Sequence, residues 1–398
     1  MAGKIPSSKE FFGALNQLCQ DADMLRGELS ESDRLSSLKL AQKLARSLEK
    51  PRDAILKMSF SPGQIVVVRI AVDMGIFQAL TERDTPLTLD ELAAVKNADP
   101  ILTERVLRLL CAIGYVIEND VRVYSANDIT REMSTRLGSA TIRLMFDSIS
   151  ITLAKLPEWI RQMKFQNPPG TSNGPFQYVE NTKGGIWEYL FTRPELNDDF
   201  NTFMEASSAD RPYWVNWFPV QEQLLDEYIG GAEDALLVDI AGGKGHDIKR
   251  FHAKFPGTPG RLFLEDQDHV LAEAEVGDNI EKIHFDLFQP QPIKGAKIYY
   301  MHMILHDWSD SECQEILHNI RNAMTKGYSK LIIQEFVMPE RDAPFLASIW
   351  DWQMLAFCNS MERNEKHWGR LLTSCGFKVV QFWPPPGDGH YIIEAEMI

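Results

Sequence analysis

Leu237-Val238-Asp239-Ile240-Ala241-Gly242-Gly243-Lys244-Gly245-His246-Asp247 joins an apolar, β-rich run to a helical one through a glycine-rich turn. Glycines there let the backbone approach a ligand closely, and the helix that follows presents unpaired N–H groups to it. Asp266 stands twenty-one residues after Gly245, just past the next β-rich run, where a carboxylate can bind ribose hydroxyls. Strand, turn, helix, strand and acid in this order describe a nucleotide-cofactor site. The dinucleotide fingerprint fails, because counting from Gly243 puts Ile248 where a third Gly or Ala should let the helix sit against the strand. Asp239, the acid on the first strand, also suits a cationic group such as an α-amine or a sulfonium. That favours S-adenosylmethionine over NAD.

The elements around this turn alternate. From Leu236 onward, β-rich runs at Leu236–Ile240, Leu262–Leu264, Ile283–Phe285, Ile298–Met301, Leu331–Gln334, Val379–Phe382 and His390–Ala395 are separated by helical stretches. Such alternation predicts an α/β fold with a mainly parallel, Rossmann-like doubly wound sheet. Upstream, Thr88 and Glu91 have capping-box spacing, and the apolar repeat Val106, Leu107, Leu109, Leu110 stops at Gly114. Two β-rich runs around the turn Glu118-Asn119-Asp120 follow, which completes a winged-helix order in a mainly α domain. Residues 165–185 are rich in turn formers and read as a mobile loop or lid, flanked by Trp159 and Trp187, which both want burial. The first sixty residues read as helices, with Leu15, Leu18, Leu38, Leu40, Leu44 and Leu48 at helical steps that need another surface. Three parts are expected: a helical dimerisation arm over 1–60, a winged-helix and helical domain over 61–220, and the doubly wound domain over 221–398.

Composition narrows the partners. With 41 Lys and Arg against 56 Asp and Glu, the 398-residue chain carries a formal charge of −15. A DNA-reading winged helix needs a basic face, so nucleic acid is not expected as a partner, nor is a membrane. The five cysteines contain no CxxC pair, the N-terminus shows no apolar leader, and apolar runs are short. A cytoplasmic protein with reduced thiols is expected.

The series Val238–Asp247, Leu264-Glu265-Asp266-Gln267, Phe285-Asp286-Leu287-Phe288 and Ile304-Leu305-His306-Asp307-Trp308-Ser309-Asp310 closely resembles the class I O-methyltransferases of the caffeate and flavonoid type, in particular their fungal secondary-metabolite branch. The resemblance covers roughly residues 60–398 and implies a homodimer that uses S-adenosylmethionine, releases S-adenosylhomocysteine and needs no metal. It places Asp239, Gly242, Gly243 and Gly245 at the cofactor turn, Asp266 on the ribose, and Asp286 and Leu287 beside the adenine. His306 matches the general base, flanked by Glu335 and Glu362. Phe200, Met204, Met354 and Asp307 match substrate contacts, and Ser208 a cofactor contact. His302, also expected at the cofactor, stands where relatives usually carry Lys or Arg, which removes a permanent charge. Ala241 replaces a common glycine, a mild change, since Ala is nearly as small.

The chemistry these residues imply is methylation of a phenolic or enolic hydroxyl of a natural product. A phenol of pKa near 10 must lose its proton to become a good nucleophile at pH 7. An imidazole can take that proton while a carboxylate on its other nitrogen fixes the tautomer. Glu335 is expected to be that carboxylate, with Glu362 on the opposite side. The sequence shows no clustered Asp, Glu and His set for a metal. Taken singly, Trp214, Trp217 and Phe357 read as core, and His246, His252 and His390 as structural. Two other readings remain: a methyltransferase-like enzyme that uses the bound cation for a pericyclic or dehydration step, and a DNA-binding regulator.

Overall fold

A computed structural model describes residues 7–25, 27–168, 170–207, 212–387 and 389–398. All seven β-rich runs of the second half form strands: Ala235–Ile240 (β1), Arg261–Asp266 (β2), Ile280–His284 (β3), Ile298–His302 (β4), Lys330–Glu335 (β5), Phe377–Trp383 (β6) and Tyr391–Met397 (β7). They make one sheet in the order β6-β7-β5-β4-β1-β2-β3. The five strands from β5 to β3 run parallel, whereas β7 pairs antiparallel with both β5 and β6. Helices cover both faces, so the central strands are continuous buried runs, as in Leu236–Ile240 and Leu331–Glu335. On one face Val238, Tyr299, Met301 and Ile333 pack with Ile316, Leu317 and Trp368; on the other, Leu237, Ile298, Tyr300 and Ile332 pack with Trp214, Ile248 and Phe251.

Strand order reverses between β1 and β4, which opens a crevice at the carboxyl ends of these strands. Asp239, Asp266, His302 and Glu335 all lie at or next to those ends. Strand β3 departs from expectation: it starts at Ile280 and stops at His284, because its register is set by pairing Ile280 with Leu262 and His284 with Asp266.

In the winged-helix segment, Thr88 caps helix Leu89–Ala94, and the Glu91 carboxylate accepts the Thr88 N–H at 2.8 Å, closing the expected capping box. Helix Pro100–Ala112 ends where Gly114 turns left-handed at φ 77 and Tyr115 N–H donates to Leu110 O at 2.8 Å. Strands Ile117–Asp120 and Val123–Ser125 form the wing, with Leu87–Thr88 as a third strand. Arg108 and Arg122 on this segment both pair with Glu104.

Part of the turn-rich segment expected over 165–185 is helical. Helix Pro175–Glu180 buries Pro175 and Phe176, and Asn359 Nδ2 donates to Gly170 O. A Cβ at Gly174 would lie 2.5 Å from Asn359 Cβ, so this segment packs against the chain just past helix Phe345–Cys358. Helix Pro194–Ser207 is held by Asp199, whose carboxylate accepts from Arg143 Nε and Nη2, each at 2.8 Å, and from Arg136. Burial opposes ionisation of Asp199, but the two guanidiniums overcome it and hold the carboxyl below its usual range.

Residues 59–385 with 389–398 form one compact unit, and the described residues up to Met58 with Pro386 and Gly387 form another. In the second, helices Ser8–Met24 and Glu31–Leu48 bury none of their side chains. No single helix among the described residues is long and apolar enough to cross a membrane; helices Pro51–Phe60 and Pro62–Asp73, bent by 42°, reach that length and composition only as a pair.

Candidate active site

The turn after β1 is held by the acid after β2. Asp266 Oδ2 accepts the Gly243 N–H at 2.8 Å and Oδ1 accepts the Gln267 N–H at 2.7 Å, while burial raises its pKa. Gly243 has φ 59 and Ala241 φ 53. Ala241 is therefore not mild for its size: the strain lies in its left-handed backbone, at roughly 1–2 kcal/mol for an L-residue. At Gly242 the constraint is space, since a Cβ would sit 2.5 Å from the Asp239 carboxyl carbon.

Beside this turn lies a cavity of about 490 Å³, lined by Asp239, Gly242, Gly243, Asp266, Asp286, Leu287 and His302, among others. Gly245 departs from expectation. It does not border the cavity, and its added Cβ would meet Val276 Cγ1 at 2.5 Å, so its lack of a side chain serves the packing of the turn. Asp286 accepts the Phe288 N–H at 3.0 Å, which shapes its loop around Leu287. Ser208 falls outside the described residues.

Asp239 is buried, and its Oδ2 has no hydrogen-bond partner among the described residues. Burial, with the neighbouring Asp247, Asp266 and Glu265, pushes its pKa well above the usual range. An orphaned, desolvated carboxylate on a cavity is costly until a cation completes it, so the site fits a cationic ligand. His302 lines the same cavity, yet both its ring nitrogens are engaged: Nδ1 with Asp247 Oδ2 at 2.7 Å and Nε2 with His390 Nδ1 at 3.0 Å. Sequence reasoning treated His390 as structural; it is the residue that orients His302.

A second cavity of about 60 Å³ is lined by His306, Asp307, Phe200, Met204 and Met354, with Trp187, Phe203, Trp350 and Phe357. It shares Trp187, Phe200, Met204, Met303 and Asp307 with the larger one. Phe200 packs edge-on to Trp187 and stacks on Phe357 at 6.4 Å. Phe357, read from sequence as core, is thus a wall of the cavity, while Trp214 is core as expected, stacked on Tyr300 at 4.8 Å.

His306 sits on the single helical turn Leu305–Asp307, entered through Met303 at φ 57. Its roles for the two flanking glutamates are the reverse of those expected. Glu362 Oε1 accepts from His306 Nδ1 at 2.8 Å, whereas Glu335 Oε2 lies 3.8 Å from the same nitrogen, so both glutamates are on one side. Glu335 Oε1 instead accepts the backbone N–H groups of Ile304, Leu305 and His306 at 2.9, 2.8 and 3.3 Å. The imidazole Nε2 is left towards Asp307, 3.5 Å away, and the cavities. Burial alone would lower the His306 pKa, but Glu335, Glu362 and Asp307 overcome it and lift it to about 10. Burial also lifts Asp307 to about 7, against the pull of His306.

The fold does create the clustered set that the sequence hid: ligand-type atoms of His306, Glu335 and Glu362 lie within 4.8 Å of one another. Glu335 Oε1 is engaged by three N–H groups and Glu362 Oε1 by the imidazole, while Glu335 Oε2 and Glu362 Oε2 are buried with no hydrogen-bond partner among the described residues.

Arg363 was missed as a functional residue. Buried beside Glu362, it donates from Nη1 to Leu305 O at 2.9 Å, from Nη2 to Trp308 O at 2.8 Å and from Nε to Asp310 Oδ1 at 2.9 Å. The loop bearing His306 is thereby gripped at its N–H groups by Glu335 and at its carbonyls by Arg363. Its adjacency to Glu362 was the one sequence signal.

A doubly wound sheet, an acid-lined nucleotide-sized cavity at its switch point and an adjoining aromatic cavity with a buried histidine define a small-molecule transferase of the methyltransferase class. Residues 154–378 match the O-methyltransferase domain, and residues 64–136 the O-methyltransferase dimerisation domain. The chain belongs to the S-adenosylmethionine-dependent O-methyltransferase family. It is 34% identical over 376 residues to the O-methyltransferase penC of Penicillium thymicola, covering 93% of each chain. Among solved structures it resembles LepI in complex with SAM, at TM-score 0.90 and 27% identity, covering 98% of this chain and all of that one. It also resembles OxaC in complex with SAH and oxaline, at TM-score 0.84 and 26% identity over 96% of this chain and 98% of that one.

Proposed function

We propose that the protein transfers the methyl group of S-adenosylmethionine to a hydroxyl of an aromatic or enolic natural product, with His306 as general base. The observation that carries this reading is the place of His306 Nε2, beside Asp307, one of the residues that line both cavities. When bound, the cofactor supplies an electrophilic methyl carbon and a sulfur that leaves with the bonding pair. Asp239, Asp266, Asp286 and Leu287 hold it, together with the backbone of Gly242 and Gly243; His302 fixes Asp247 at the edge of the same cavity. Phe200, Met204 and Met354 bracket a flat ring, and Asp307, 3.5 Å from His306 Nε2, helps to orient the substrate's hydroxyl. His306 Nε2 takes that proton as the oxygen attacks carbon, and Glu362 stabilises the imidazolium through Nδ1. One hydroxyl deprotonated by an imidazole needs no metal.

A base held at a pKa of about 10 is protonated at pH 7. The sulfonium, a like charge in the adjoining cavity, disfavours the imidazolium and moves this pKa down in the complex. The active form is the deprotonated one, so kcat for methylation of a hydroxylated aromatic should rise with pH, on a limb whose apparent pKa lies below the free-enzyme value. A kcat that is flat or falls from pH 7 to 9 would count against His306 as the base.

The dimerisation-domain match over residues 64–136 and the exposed apolar side chains of Phe12, Leu18, Leu40, Ile55, Met58 and Phe60 support a homodimer. Residues 1–60 then serve as its arm, 61–220 as substrate wall and further interface, and 221–398 as the methyl-transfer domain. A sedimentation mass of a single 45.4 kDa chain would contradict it. All five cysteines are free, which supports the cytoplasmic location expected from sequence.

A further inference from the structure

An amino-acid moiety brings a carboxylate as well as an ammonium, and the cavity has to answer both. Asp239 answers the ammonium. The position from which relatives usually offer a Lys or Arg is His302, whose two nitrogens are taken by Asp247 and His390. Lys244 also lines the cavity, but its ammonium lies 2.9 Å from Glu273 Oε2. Arg250 remains.

Arg250 follows Asp247 by three residues on helix His246–Lys254, so the two side chains share a face beside the cavity, and both line it. The guanidinium is held flat on Tyr213, with Cζ 3.5 Å from the ring centroid. Its Nη1 is buried and has no hydrogen-bond partner among the described residues. The nearest carboxylate, Asp247 Oδ1, is 3.8 Å from Nη1, beyond hydrogen-bond reach. An unpartnered guanidinium nitrogen and an unpartnered carboxylate oxygen, Arg250 Nη1 and Asp239 Oδ2, on the lining of one cavity are complementary to an α-amino acid, and Arg matches a carboxylate with two parallel N–H groups where Lys offers a point charge.

We propose that Arg250 binds the α-carboxylate of the cofactor's amino-acid moiety and supplies the cation that His302 does not. The inference rests on the S-adenosylmethionine reading and adds to it a binding residue that no sequence motif marks. His302 holds one oxygen of Asp247 at 2.7 Å, and the other oxygen stays in ion-pair range of Arg250 Nη1 at 3.8 Å without a hydrogen bond to it.

The test is calorimetric titration of the full chain, wild type and Arg250→Gln, with S-adenosylhomocysteine and with its decarboxylated analogue. Wild type should prefer the intact ligand by about 10- to 100-fold, the usual worth of a hydrogen bond to a charged group. Arg250→Gln should lose about that factor for the intact ligand and less than about twofold for the analogue. Equal losses for both ligands would make Arg250 a mere packing residue, and no loss for either would overturn the assignment as well. Should the variant fold poorly, the wild type alone decides: equal affinity for the two ligands refutes the carboxylate contact. A wild type that binds neither removes the cofactor reading together with the proposal.

Discussion

His306→Asn should lower kcat for methyl transfer by about 10²- to 10⁴-fold, the range for losing a positioned general base. Asn places its amide nitrogen at the Nδ1 position and can still donate to Glu362 Oε1, so the bond that Nδ1 makes at 2.8 Å has a replacement and the loop is expected to keep its shape. What disappears is a basic nitrogen at the Nε2 position. His306 does not line the larger cavity, so the Kd for S-adenosylhomocysteine should stay within about twofold of wild type. The rising limb of the pH profile should vanish with the imidazole. Rapid-quench kinetics at saturating cofactor and substrate measure all of this. A variant that keeps more than about a tenth of the wild-type rate would show that another group takes the proton.

Arg363→Met should be the most damaging change outside the reacting groups. The side chain is only 1% exposed and makes four hydrogen bonds, two of them to carbonyls of the loop that carries His306. Charged hydrogen bonds are worth about 1.5–3 kcal/mol each and do not add fully, so a loss of about 3 kcal/mol in unfolding free energy is expected. Asp310 is half exposed and keeps His367 at 2.6 Å, so it is not left as an unpaired buried charge. Loosening of the loop should also reduce kcat by about 10- to 100-fold, since small misplacements of a base are costly. Arg363→Lys should recover little of either, because one ammonium cannot span the four acceptors. Urea unfolding beside kcat checks this: a stability change below about 1 kcal/mol would mean that Glu335 alone holds the loop.

The sequence made the sheet legible because parallel strands buried on both faces are short apolar runs, and all seven appear. Local motifs were equally readable: the Thr88–Glu91 capping box, the Gly114 stop and the glycine turn all form where their residues dictate. The site was legible as a set of residues but not as a set of contacts. Whether Glu335 or Glu362 reaches the imidazole depends on how far the chain ends of β5 and helix Phe345–Cys358 carry each carboxylate, across 29 and 56 residues of separation. Ala241 looks harmless as a side chain and is unusual only in its φ of 53, which composition does not reveal. Gly245 reads as a ligand glycine in the motif yet answers to Val276, thirty-one residues later. Phe357 and Trp214 are both aromatic residues in helical runs, and only the tertiary packing decides that one faces a cavity and the other the sheet. Arg250 and Arg363 carry no motif, and both act through groups distant in sequence.

The central claim is that bound S-adenosylmethionine is consumed as a methyl donor rather than kept as a cation. The most direct measurement is a single turnover with methyl-labelled cofactor and a hydroxylated aromatic substrate, counting label in the product and S-adenosylhomocysteine formed against substrate lost. The account predicts one methyl ether and one S-adenosylhomocysteine for each substrate consumed. Substrate turned over while the cofactor stays intact and no label leaves it would contradict the account.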